Sequence, residues 1–171
     1  MGGEMRLKLM AVLITGVLLA PALAPSASAL PPGFPDLSGF STVSADQYFV
    51  EGNAPGMVTF STPYDLTCSF TREAGGHSSQ YLRCKGQMAD SNDPCAFGEI
   101  TWESSKDSYD RTWEGSDCTN RFAYARPLSP GQKVSFGNVT CAVGDNRLSA
   151  CLDTFNGEHG FFMQPSGSRF F

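Results

Sequence analysis

The sequence predicts an all-β protein: a small antiparallel sandwich or barrel of short strands, stapled by three disulfides. Short runs alternate apolar and polar residues and are separated by turn formers, which is how half-buried antiparallel strands are written. No stretch carries a convincing 3.6-residue apolar period. Six cysteines, all downstream of an apolar N-terminal run, supply an even set for pairing.

The N-terminus reads first as an address. Arg6 and Lys8 precede the apolar run "LMAVLITGVLLAPALA", which ends in "PSASAL". That is the order of a secretory signal peptide, with small Ala27 and Ala29 placing the cut before Leu30. A membrane anchor is the rival reading, but a bilayer span needs about 20 apolar residues, and Pro21 and Pro25 interrupt this run. Residues 1–29 are therefore expected to be a cleaved signal peptide, and residues 51–171 a disulfide-stapled β domain. Between them, residues 30–50 form a Pro/Gly/Ser-rich leader, extended and without a packed core at its start. Phe34 and Phe40 are placed to tuck against the domain, and a short helix around "SADQYFVE" would use Ser44 as its N-cap.

The expected strands follow in order: "MVTFS", "DLTCSF", "QYLRC", "FGEITW", "RFAYA", "KVSFG", "NVTCAV", "RLSACLD" and "GFFMQ". The polar segment 104–120 reads as a long loop carrying Trp113 and tethered by Cys118, and "PSGSR" as a turn.

Six cysteines admit fifteen pairings, and an exported chain oxidises them. The segment between Cys68 and Cys84 has Gly76 at its midpoint, and that between Cys141 and Cys151 has Asn146. Strands folded about those turn residues bring each pair within disulfide reach. Cys95–Cys118 follows by elimination. The two hairpins look alike, "LTCSF…YLRC" and "VTCAV…LSAC", a likeness read as the common appearance of stapled strands rather than as a duplication. Metal binding by the cysteines is disfavoured because no Cys-x-x-Cys and no His-x-x-x-His occurs.

With a net charge of −5 and no basic run, the chain is not expected to bind nucleic acid or anionic membrane surfaces. No membrane span is expected after signal cleavage. The terminal "SRFF" resembles the end of an outer-membrane barrel strand, but six cysteines and short strands argue against one.

The C-terminal third, with one stretch before it, carries a resemblance. "FSTPYDLTC", "LSPGQKVSFGNVTC" and the ending Cys151 followed by "LDTFNGEHGFF" resemble small exported, disulfide-containing actinobacterial proteins of mycobacterial type, a family without an assigned biochemical function. The likeness covers residues 57–171. Glu158 departs from it, separating Gly157 from His159, and the Trp- and Pro-rich middle is thin. The resemblance implies export and the same hairpin disulfides, and no enzyme chemistry.

Two groups of residues bear on function. His159, one of two histidines, is read as a structural imidazole bonded to a neighbouring strand's carbonyl. The catalytic alternative pairs it as a base with Ser166 or Ser149, oriented by Asp153; as a metal ligand it lacks a partner. His77 is expected to be a solvated tip residue. The second group sets Glu99, Glu103, Asp107, Asp110 and Glu114 near Trp102, Tyr109 and Trp113. Paired carboxylates beside aromatic platforms suit a glycosidase, or a glycan-binding module without catalysis; of these, Trp102, Glu103, Tyr109 and Trp113 are the candidate ligand-binding residues. Asp90 and Asp93 offer hard oxygens for calcium, though without EF-hand spacing. The expectation is a secreted, non-catalytic interaction or envelope-associated protein with no cofactor and no metal, contacting an envelope glycan or a protein. The alternative is an extracytoplasmic hydrolase or glycan-binding module.

Overall fold

The computed structural model describes residues 30–50, 56–71, 82–119, 125–155 and 157–171. Within them the chain is all-β, in two sheets. Short strands β1 (Ser41–Val43), β2 (Met57–Ser61), β3 (Leu66–Thr71), β4 (Leu82–Gln87), β5 (Ala96–Glu103) and β6 (Ser108–Ser116) come first. β7 (Gln132–Phe136), β8 (Val139–Val143), β9 (Ser149–Asp153), β10 (His159–Gln164) and β11 (Gly167–Phe170) complete the set. One sheet runs β2-β3-β4-β5-β6 and the other β1-β7-β8-β9-β10-β11. Each is an antiparallel meander of sequential neighbours, with β1 added in parallel beside β7.

The two meanders are equivalent strand for strand. In the first, Phe60, Cys68, Cys84 and Ile100 stand side by side across four strands; in the second, Val134, Cys141, Cys151 and Phe161 do. All eight are buried, so these rows are the centre of one shared core between the sheets. The hairpin disulfides Cys68–Cys84 and Cys141–Cys151 therefore meet at its middle, with the sulfurs of Cys68, Cys84 and Cys151 within 4.8 Å of one another. Each bonded pair is directly opposed in its strand register, as the turn midpoints predict. The turn after β8 holds Asn146 and Arg147 at φ 54° and 60°, a conformation that asparagine tolerates better than most residues. The turn around Gly76, with His77, lies outside the described residues. Cys95–Cys118 closes the open end of the β5–β6 hairpin, where the Asp117 N–H also donates to the Cys95 carbonyl at 2.9 Å.

Three expectations change. Residues 104–120 are not a long loop: the turn is short and β6 follows it, paired along its length with β5 and anchored in the core by Tyr109, opposite Trp102. The segment after Pro165 turns and returns as β11, paired with β10. The leader is integrated rather than free. Asp36 caps a 3-10 turn at Leu37–Gly39, β1 joins the sheet, and Ser44 caps a second 3-10 turn, Ala45–Tyr48, by accepting from the Asp46 N–H. Phe34 is buried against Phe162 and Phe171, edge to face, over Ala150 and Leu152. This explains why all five residues of β9 are buried: one face looks into the sandwich and the other lies beneath the leader. The expected strand "RFAYA" falls largely outside the described residues; just beyond it, Pro127 bridges to Ser61 and covers the β2 edge. Among the described residues no helix is long and apolar enough to cross a membrane.

Candidate functional site

The last two strands of the first meander form a hairpin whose inner face reaches past the core. Registered pairs along that face are Trp102 with Tyr109, Ile100 with Arg111, and Gly98 with Trp113. Ile100 and Tyr109 are buried, whereas Trp102 and Trp113 are 39% and 49% exposed. At one end of this strip, β10 contributes His159 and β9 contributes Asp153, which are directly opposed in register.

That end is a compact cluster. The Tyr109 hydroxyl, in the core, donates to Asp153 Oδ2 at 2.9 Å, and the Phe155 N–H donates to Oδ1 at 2.9 Å. Burial raises the Asp153 carboxyl above its ordinary pKa; the Phe155 N–H, the Tyr109 hydroxyl and the charge of His159 pull the other way. Burial, the Asp153 charge and the hydrogen bond to it raise the Tyr109 phenol, so it remains a neutral donor. The Trp102 ring stands perpendicular to both His159 (centroids 4.9 Å apart) and Tyr109 (5.4 Å). His159 therefore packs edge-on against the Trp102 indole and stands opposite Asp153 across the strand pair.

At the other end, the Arg111 guanidinium lies 4.1 Å from the Trp113 ring centre and 5.3 Å from that of Phe170 on β11. It also pairs with Asp90, in the turn after β4. Asp90 is thereby spent on Arg111, and Asp93, the other oxygen considered for calcium, accepts from the Cys95 N–H at 2.9 Å.

The expected acidic and aromatic groups part company here. Successive strand residues face opposite sides, so Glu99 and Glu103 turn away from the face of Ile100 and Trp102, and Asp110 away from that of Tyr109 and Arg111. Glu99 pairs with Arg83, Glu114 with Lys85, and Asp110 with Lys106. Glu103 accepts from Ser105 and closes the turn that also contains Asp107. Trp102, Tyr109 and Trp113 therefore share a face and Glu103 lies on the other. The serines considered as nucleophiles are also remote. Ser149 is buried at the far end of β9, four residues or about 13 Å of strand from Asp153, and Ser166 sits in the turn beyond β10, more than about 16 Å of strand from His159.

Sequence reasoning did not single out Arg111 or Phe170. The Tyr-x-Arg-x-Trp alternation of residues 109–113 was the available signal, since it places a cation and two aromatics on one face once the segment is a strand. Asp153 was singled out only as an orienter, and its phenolic partner is brought to it by the packing of the two sheets. No protein-family model, curated protein or solved structure matches the chain.

Proposed function

We propose that this is an exported, non-catalytic interaction protein, associated with the cell envelope, whose contact surface is supplied by Trp102 and Trp113 of the β5–β6 hairpin. The observation that carries the reading is the pair of indoles. They stand half-exposed on the face that elsewhere forms the core, and each is clamped: Trp102 by His159 and Tyr109, Trp113 by Arg111. Large aromatic surfaces held in place before binding lose little freedom on contact, which favours recognition. The apolar N-terminal run and three disulfides support export, in keeping with the exported family that the sequence resembles.

The test expresses the full chain in a secreting host and fractionates envelope from medium. The expected result is a mature N-terminus at Leu30, retention of the wild type with the envelope, and release of the Trp102→Ala/Trp113→Ala double variant into the medium. Equal retention of the two proteins would remove the surface from consideration. A second reading, an acid–base site at His159, draws on the buried Asp153 carboxyl beside it. Against it stand the occupation of both Asp153 oxygens and the distance to Ser149 and Ser166. Ester and glycoside hydrolysis abolished by His159→Gln at unchanged folding would favour that reading.

A further inference from the structure

We infer that the two core disulfides are one exchange unit: while one sheet carries a bridge and the other a free thiol, the bond passes between them inside the native core, with Cys151 as the crossing point. The sulfurs of Cys68, Cys84 and Cys151 all lie within 4.8 Å of one another, and that of Cys141 stands outside this group. The four cysteines occupy facing rows, between Phe60 and Ile100 on one sheet and between Val134 and Phe161 on the other. All of these residues are buried. A bond from Cys151 to Cys68 or to Cys84 therefore joins sulfurs that packing has already brought together. Cys95 and Cys118, at the margin of the β5–β6 hairpin, contribute no sulfur to the group.

The step is a thiol–disulfide exchange without net oxidation. The Cys84 thiolate attacks the Cys151 sulfur. The Cys84–Cys151 bond forms, the Cys141–Cys151 bond breaks, and Cys141 departs with the electron pair and takes up the proton that Cys84 gave up. Attack by Cys68 on Cys84 then closes Cys68–Cys84 and releases Cys151, so the bridge has moved from the second sheet to the first. A small-molecule disulfide that oxidises one hairpin thus serves both, and a bond formed across the sheets resolves without unfolding. Register sets the resting state. Both hairpin pairs are directly opposed, at sequence separations of 16 and 10 residues, whereas a cross-sheet bond must close a far longer loop. Once both bridges are closed, no thiolate remains in the core and exchange stops.

The experiment refolds the reduced mature protein in a glutathione redox buffer at about pH 8, where a free thiol is partly ionised, with timed acid quench, alkylation and peptide mapping. Wild type should show Cys68–Cys151 or Cys84–Cys151 peptides transiently, before the two hairpin bridges complete. Two single variants separate core geometry from chance pairing. Cys141→Ala leaves Cys151 as the odd thiol, and Cys151→Ala leaves Cys141. The first should settle as a mixture of Cys68–Cys84 with the two cross-sheet bonds to Cys151, at an unchanged far-ultraviolet dichroism. The second should keep Cys68–Cys84, with cross-sheet species lower by about tenfold or more. Repeating both in urea removes the core. There the two variants should pair alike, because their cross-sheet loops are nearly equal in length. Equal cross-sheet pairing of the two variants in native buffer would overturn the inference, as would loss of the native dichroism when a bond to Cys151 forms. A wild-type time course that never shows a cross-sheet peptide also overturns it, whether or not the variants fold.

Discussion

At the residue scale, Asp153 is a buried carboxyl with a partner on each oxygen. Its carboxyl is held between the Tyr109 hydroxyl and the Phe155 N–H. Tyr109→Phe would leave a buried carboxylate oxygen without its donor, and should cost about 1–3 kcal/mol in denaturant unfolding. The pH dependence has a definite sign. Burial raises the folded pKa of Asp153 above its unfolded value, so the folded state binds this proton more tightly. The stability it contributes is fully present below the ordinary carboxyl range and is lost as pH rises through the raised value. Asp153→Asn does not titrate, so the melting temperature of the variant relative to wild type should increase across that window. Asp36, Glu103 and Asp110 have pKa values lowered by hydrogen bonds to near neighbours in sequence, and Asp93 by hydrogen bonds with Ser116 and the Cys95 N–H; these drive stability in the opposite direction, but both proteins carry them and the comparison cancels them. A difference that is flat with pH would mean that Asp153 titrates as an ordinary carboxyl.

At the element scale, two features set how strands and leader fit. Gly160 in β10 passes so close to β9 that a Cβ on it would collide with the Cys151 carbonyl. Gly160→Ala should therefore cost about 1–3 kcal/mol, read as a lowered unfolding midpoint at unchanged slope. The leader is the second feature. Phe34 covers the outer face of β9 and meets Phe171 at the end of the chain, so Phe34→Ala should lose about 2 kcal/mol of burial. A change within error in either midpoint would show that the neighbouring strand or leader yields without cost. The sequence marks the leader by composition as extended, and does place Phe34 against the domain. It gives no sign that residues 41–43 form a parallel strand, because parallel pairing joins segments some ninety residues apart and leaves no local pattern. The β6 strand is hidden for a related reason: an edge strand with one buried residue and many polar ones resembles a loop.

At the scale of the whole molecule, two meanders close on a pair of facing disulfides. Cys68, Cys84, Cys141 and Cys151 are all buried, whereas Cys118 is exposed. Thiolate attack needs access to sulfur, so mild reduction of the native protein should open Cys95–Cys118 first. The two core bridges should survive until the fold itself is unfolded. Timed alkylation with peptide mass mapping reads the order, and simultaneous loss of all three would show that the sandwich opens as readily as its margin. This bridge arrangement was legible in advance, because a disulfide between neighbouring strands is fixed by loop midpoints that the sequence displays.

The sequence by itself determined the all-β class, the three pairings and the capped turn at Ser44, since strand alternation, turn residues and cysteine spacing are local signals. Only the tertiary structure decided that the acidic and aromatic residues of one segment belong to opposite faces, and that Asp153, Tyr109, His159 and Trp102 meet. Those four come from β9, β6, β10 and β5, in two different sheets, and nothing in chain order records which faces will be pressed together. The physical reason is that packing the buried rows around the two disulfides fixes the sheets' relative placement, and the cluster at their end follows from that placement.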